Sequence, residues 1–360
     1  MTSTTLHSLP ALAAQIASCA CAGLVDSTAL FMPAQQPPWR ATGIHLTAGQ
    51  HYTLLAEGRI AWSERVPHLH AGAGFHLWAR VSPGGRIVNL TRDGTSFIAD
   101  CTGELELGIY LGMWRDAYGR LDTPAFAYAR LRGGLSVLVL TWREDSATGL
   151  TALNTLCPAA PLATELARLG QAVALPRDWH YLIETGTSDI YRDCSDAGPA
   201  RICLAANDDQ GILRKEVDWP LTPGTTLNWR WRLDAHPSRI AEDSNISHDY
   251  VSVAAEFDNG RDLTWLWSSC LPVGHWFACP IKAWSARETH YVLRSGFDDA
   301  GRWCEESRPV WADVDATMGP PPARIVAVWL ICVASFQHGT ARASFEDIHL
   351  RDGARGLSVL

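Results

Sequence analysis

The strongest constraint on this chain is a period of two. Residues Leu227 to Asp234 read "LNWRWRLD". In an extended strand Leu227, Trp229, Trp231 and Leu233 point to one side, and Asn228, Arg230, Arg232 and Asp234 to the other. Short alternating runs of the same kind fill the stretch from about Trp39 to Trp142: "TGIHLTAGQHYTLLAEGRIAW", "FHLWARVSPGGRIVNL", "GELELGIYLG" and "YARLRGGLSVLVLTW". They are punctuated by "SPGG", "RDGT" and "LRGG". Alternation broken by such turns is the pattern of antiparallel sheets that bury one face.

The pattern lapses once, in "TGLTALNTLCPAAPLATELARLGQAV", which is rich in Ala and Leu and reads as helix. From "DWHYLIETG" the strands return and continue to "ARASFEDIHL". The expected fold class is therefore all-β, with two antiparallel β-sandwich (jelly-roll) domains joined by a short helical connector. Residues 1–30 are expected to be helical or irregular, 31–145 a first sandwich, 146–176 the connector and 177–352 the second sandwich.

Composition narrows the function. A formal net charge of -8 with a pI near 5.9 gives no clustered basic surface for phosphate, so nucleic acid is not an expected partner. No apolar run approaches the roughly 20 residues of a membrane span. The opening "MTSTTLHSLPALAAQIASCACAGL" lacks a basic stretch ahead of its apolar segment. No membrane insertion and a cytoplasmic location are the expectation. The 10 cysteines are scattered without repeated spacing, so they read as reduced core thiols, and the "SCAC" pair Cys19 and Cys21 is not a CxxC motif.

The two arginines of "WRWR" need a role. "HDYVSVAAEFDNG" places Tyr250, Ser252, Ala254 and Glu256 on one face, and "HYVLRSG" does the same for His290, Val292 and Arg294. If these strands share a sheet, Arg230, Arg232, Glu256 and Arg294 meet on one polar face. The plainer reading is a solvated sheet with cross-strand ion pairs of about 0.2–1 kcal/mol each. The functional reading is a concave face that grips a polar ligand.

Tryptophan sharpens that choice, at 16 in 360 residues. Indoles stack on the C–H faces of sugar rings while polar side chains bond the hydroxyls, although Trp is also a sandwich core residue. In "DLTWLWSSCLPVGHWF", Trp265 and Trp267 share one face, so one of them is expected in the core, and Trp276 follows a glycine and is expected to be exposed.

Four groups are candidates for chemistry. "EFDNG" sets Glu256 and Asp258 two apart, on one face if the strand continues. That spacing is similar to the Glu-x-Asp-x-x-Glu stretch of laminarinase-like glycosidases, but the third carboxylate is missing and "DNG" also makes a hairpin turn. "EDSNISHDY" gathers Asp243, His248 and Asp249 in a loop suited to acid–base work or simply to a polar turn. His68 and His70 share a face without a third ligand. In "GRWCEESRPVWADVDATMG", Arg308 and Asp313 either rim a pocket or lie in a solvated segment.

Taken together, "LNWRWRLD", "DYVSVAAEFDNG", "HYVLRSG", "GRWCEESRPVWADVDATMG" and "ARIVAVWLICVASFQHGTARASFEDIHL" resemble the bacterial domain of unknown function 3047, over about Trp179 to Leu350. The resemblance implies a jelly roll of the concanavalin-like or carbohydrate-binding kind and no assigned activity. The aspartate-rich stretch associated with that family before its last strand is replaced by "CVASFQHG". The first half resembles galactose-binding-like jelly rolls in "WRATGIHLTAGQHYTLLAEGRIAW" and "GELELGIY". In bacterial lectins such modules hold calcium with loop carboxylates and amides, for which Asn89, Asp93, Asp116 and Asp122 are a sparse set here.

The sequence thus points to a protein that binds a carbohydrate or other polyhydroxylated small molecule, without cofactor or metal. Arg230, Arg232, Tyr250, Ser252, Trp267, Trp276 and Arg294 are its expected ligand-binding residues. The alternative is an enzyme acting on a sugar derivative or amphipathic natural product in a Trp-lined pocket, with His248, Asp249, Glu256 and Asp258 as acid or base. Exposed sandwich edges leave room for a homodimer.

Overall fold

The structure is a computed structural model that describes residues 8–36, 39–64, 69–89, 93–111, 119–120, 123–171, 173–182, 190–195, 198–244, 248–281 and 284–360. The fold is an all-β sandwich type, and the chain clusters into two compact units. One comprises Met1–Ala172 and Glu184–Thr187, the other Val173–Ile183 and Ser188–Leu360.

In the first unit, strands Leu24–Pro33, Arg132–Trp142, His51–Ala61 and His70–Ala71 lie side by side, with Gly94–Ile98 also paired to His51–Ala61. A second sheet orders Arg40–Leu46, Gly103–Ile109, Leu77–Ser82 and Val88–Asn89. Alternate residues of both sheets, among them Leu54, Leu77, Leu105, Leu107, Val137 and Val139, fill one core. The other face of the larger sheet is covered by helices. Leu55, Leu138, Leu140 and Trp142 pack there against Leu9, Leu12 and Ile16 of helix Leu9–Ala17, and against Leu150, Leu153 and Leu162. Helices Ser146–Leu156 and Ala160–Gly170, expected as a connector, are therefore a layer of this unit, because their apolar stripe has a sheet face to bury.

The second unit packs a seven-stranded sheet on a six-stranded one. The seven are, in spatial order, Trp179–Tyr181, Gln210–Pro220, Arg324–Val333, Ser252–Phe257, Asp262–Ser268, Glu288–Ser295 and Trp276–Ala278. The six are Tyr191–Asp193, Arg201–Asn207, Thr340–Asp352, Thr226–Ala235 and Trp303–Pro309, with Arg355–Ser358 on Thr340–Asp352. All pairings are antiparallel except Asp262–Ser268 with Glu288–Ser295.

Four indoles weld the two sheets. Trp229 and Trp231 are 1% exposed and stand 5.9 and 5.4 Å from Trp265 and Trp267 of the facing sheet. Three of the four find an acceptor for the indole N–H, and Trp229 does not. Trp231 donates to Glu306, Trp265 to Asp313 and Trp267 to the Gly296 carbonyl, each at 2.9 Å. Asp313 sits in helix Val310–Met318 and is also gripped by Arg308, so this pair is a brace for the core rather than a pocket rim.

The cysteines depart from expectation. Cys19 pairs with Cys157 and Cys194 with Cys203 as disulfides, leaving Cys21, Cys101, Cys270, Cys279, Cys304 and Cys332 free. Among the described residues no helix is long and apolar enough to cross a membrane.

Candidate functional site

The polar face expected from the sequence does not assemble as one surface. Arg230 and Arg232 belong to the six-stranded sheet, Glu256 and Arg294 to the seven-stranded one, and the core separates their outer faces. Alternation fixes which face a residue takes but not which strands are neighbours. Arg230 and Arg232 instead join Arg201 around Trp303, with guanidinium carbons 5.2 to 5.6 Å from the indole. Each is already tied to carboxylates: Arg201 and Arg230 to Glu346, Arg230 also to Glu305, and Arg232 to Asp234. That arrangement is a ladder of surface ion pairs.

Arg294 is displaced by an irregularity in its own strand. The register slips between Leu266 and Trp267, so Arg294 comes over the Trp267 ring at 5.6 Å and pairs with Glu306 and Asp299. Trp267 and Tyr250 are buried, 1% exposed each, and Trp267 is core rather than a ligand platform. Trp276 is 48% exposed, as expected from the sequence. Asp258 falls in the turn after strand Ser252–Phe257, so it does not share the face of Glu256.

Where chemistry does gather is the outer face of the seven-stranded sheet. Alternate positions across adjacent strands line up in rows. Glu256 faces Asp262, which faces Glu288, and one step along Ala254 faces Thr264, which faces His290 and then Phe277. Three carboxyls and an imidazole are thereby set side by side by strand register alone. Arg214 marks the half-buried rim, bonding Glu256 at 3.0 Å and Glu216 at 2.8 Å. Trp329, with Ala254, Ala327 and Ile331, makes an apolar patch beside the row.

The segment carrying His248 and Asp249 comes in over this row. Asp249 takes a left-handed backbone with φ of 58° and places its carboxylate between two imidazoles, Oδ2 3.3 Å from His248 Nε2 and Oδ1 2.7 Å from His290 Nε2. Glu288 Oε2 lies 3.8 Å from His248 Nε2, and Cys279 Sγ lies 3.1 Å from the same nitrogen. Ring stacking holds the other side of His290, with Phe277 5.0 Å away at 12°.

Electrostatics set the members of the cluster apart. Burial pushes the Asp262 carboxyl well above the usual carboxylate range, reinforced by Glu288 and Asp249 and opposed by the Thr264 hydroxyl. Burial acts the same way on Asp249, yet the imidazoles of His290 and His248 outweigh it and hold that carboxyl low. The Cys279 thiol is pushed far up by burial and by Glu288. His248 and Asp249 were legible as a loop pair. Glu288 was not singled out, although Glu288 and His290 at i and i+2 carry the alternation signal that would have joined them.

Only part of the calcium set of the first unit falls within the described residues. Asn89 is buried and donates to the Phe75 and Leu77 carbonyls, while Asp116 and Asp122, like His68, lie outside the described residues. His70 occupies the short strand His70–Ala71. A separate open cleft of about 510 Å³ in this unit is lined by His51, Arg86, Ser96, Asp100 and Asp145, among others.

Residues 178–349 match the family described as "Protein of unknown function (DUF3047)". No curated protein matches the chain by sequence. Among solved structures, a domain described as "EclA N-terminal domain; PllA-like lectin" aligns at 18% identity and a TM-score of 0.26, over 33% of this chain and 98% of its own. The xyloglucanase domain of NopAA from Sinorhizobium fredii, in complex with cellobiose, aligns at 8% identity and a TM-score of 0.27, over 46% and 94%.

Proposed function

We propose that the second unit binds a polyhydroxylated, carbohydrate-like ligand along the outer face of its seven-stranded sheet. The observation that carries this reading is the lateral row Glu256, Asp262 and Glu288, flanked by the half-buried Arg214 rim. A carboxylate accepts hydrogen bonds from ligand hydroxyls, and a guanidinium donates to ring and hydroxyl oxygens. The test is thermal stabilisation of the full chain by a panel of monosaccharides and oligosaccharides. A ligand at 100 times its Kd stabilises by about 2.7 kcal/mol. The reading predicts that this response is lost in Glu256→Gln and kept in Arg232→Ala. A panel without any stabiliser, or equal responses in wild type and Glu256→Gln, contradicts it.

One observation favours an enzyme acting on the same class of compound. Burial drives the Asp262 carboxyl up while the two imidazoles hold Asp249 low within one buried cluster, and carboxyls whose proton affinities are driven apart are how proteins build acid–base pairs. On that reading Asp262 protonates a leaving oxygen, and Asp262→Asn lowers kcat for hydrolysis of chromogenic glycosides far more than it raises KM. The two disulfides also fit an oxidising compartment better than the cytoplasm. Denatured, unreduced protein then titrates as the 6 free thiols named above out of 10 cysteines.

A further inference from the structure

A buried imidazole ordinarily has both nitrogens satisfied. His290 is 0% exposed, and neither its Nδ1 nor its Nε2 makes a hydrogen bond of acceptable geometry, nor does Asp249 Oδ1. Leaving one such group without a partner costs about 1–3 kcal/mol. His290 Nε2 and Asp249 Oδ1 are only 2.7 Å apart, so they are close enough to bond but not aligned with each other. Two donor atoms that are near but misaligned are placed as if both face a third point.

Further donors surround the same point. One ligand atom from each of His248, Asp249, Glu288 and His290 lies within 4.8 Å of all the others. The separations from His248 Nε2 are 3.3 Å to Asp249 and 3.8 Å to Glu288. Ligands at bond lengths of about 2.0–2.1 Å on a tetrahedral ion stand roughly 3.3 Å apart. The buried layer also concentrates carboxyls, with Asp262 directly beside Glu288, and a cation offsets that crowding.

We propose that His248, Asp249, Glu288 and His290 bind one divalent transition-metal ion. Two imidazole nitrogens and two carboxylate oxygens are a poor set for calcium or magnesium, which take oxygen cages, and a good one for zinc and its first-row neighbours. The ion ties the segment bearing His248 and Asp249 to strand Glu288–Ser295, and Asp262 supports the ligand Glu288 from the neighbouring strand. The inference stands on donor geometry and shares Glu288 with the carbohydrate reading, but it does not require a sugar to bind.

Full-length protein stripped with a chelator and titrated with zinc chloride by calorimetry tests it, alongside cobalt(II) monitored by visible absorption. One equivalent binds per chain, and cobalt shows the intense bands of a four-coordinate site. Asp249→Asn, Glu288→Gln and His290→Gln each weaken binding by about 100-fold or more, beyond the 10–100-fold that loss of a supporting hydrogen bond costs. His349→Gln, at a residue remote in sequence and on another sheet, leaves binding unchanged. Near-UV circular dichroism identifies the variants that remain folded. If the folded wild type takes up no zinc, or if folded Asp249→Asn and Glu288→Gln bind as the wild type does, the proposal is wrong.

Discussion

Each unit buries a histidine completely, and the two are treated in opposite ways. His76 in the first unit has its Nδ1 2.9 Å from the Tyr110 carbonyl and its Nε2 3.4 Å from the Trp62 indole N–H. A neutral ring that donates through Nδ1 and accepts through Nε2 fits both contacts at once. The buried ion pair of that unit is equally complete: Arg168 holds both oxygens of Glu165, which also accepts from Ser96. In the second unit His290 has short neighbours and no aligned partner. A satisfied buried polar group is complete within the chain, whereas the unpartnered nitrogens of His290 lie among three further side chains of metal-ligand type.

The largest expected contrast comes from replacing each ring by phenylalanine. His76→Phe strands the Tyr110 carbonyl and the Trp62 N–H, and costs about 3 kcal/mol in urea denaturation. His290→Phe in metal-free protein keeps the stack on Phe277 and removes nitrogens without an aligned partner, but takes an imidazole from beside the Asp249 carboxylate, so it costs about 1–2 kcal/mol, less than His76→Phe. Equal losses at the two sites break the comparison.

Acid gives the next contrast. Burial lowers the His76 pKa from 6.5 to about 4, with the Tyr110 carbonyl opposing the shift. Between those values the unfolded chain binds the extra proton, so the stabilisation is fully present above pH 6.5 and is lost as pH falls towards 4. At about 1.4 kcal/mol per pKa unit the loss approaches 3 kcal/mol. Glu242 in the second unit has the opposite sign. Burial raises its carboxyl, which receives the Ser268 hydroxyl and the Ser269 amide, so its folded state retains the proton longer and loses stability as pH rises above the unfolded value. Stability curves from pH 4 to 7 for wild type, His76→Phe and Glu242→Gln resolve the two slopes. A wild-type curve parallel to that of His76→Phe removes His76 as the acid-sensitive group.

The smallest effect is expected at the arginines that the alternation first brought forward. Arg232 is half-exposed and paired with Asp234, so Arg232→Ala changes stability by under about 1 kcal/mol. A larger loss would give the Trp303 ladder a structural weight that its exposure does not suggest.

The contrast between the arginines and the histidine cluster also shows what could be read in advance. Burial of Leu227, Trp229, Trp231 and Leu233 was legible because a pleated strand admits one assignment of faces. Exposure of Trp276 was legible from its turn. Strand neighbours were not, because pairing is long-range: strand Thr226–Ala235 lies between Trp303–Pro309 and Thr340–Asp352, both far along the chain. Half of the histidine cluster was visible as "HDY" in a loop. The other half, Glu288 and His290, needed the parallel pairing that lays their strand beside Asp262–Ser268. Arg294 was misplaced by a single register slip, which no periodicity carries.

The account turns on what completes the coordination of His290. Diffraction at the zinc absorption edge, from crystals of the full chain grown with equimolar zinc, measures this directly. The predicted result is one anomalous peak about 2.0–2.2 Å from a nitrogen of His248, a nitrogen of His290 and an oxygen each of Asp249 and Glu288. A map without a peak there, with both His290 nitrogens hydrogen-bonded to water or to a protonated carboxyl, would contradict it.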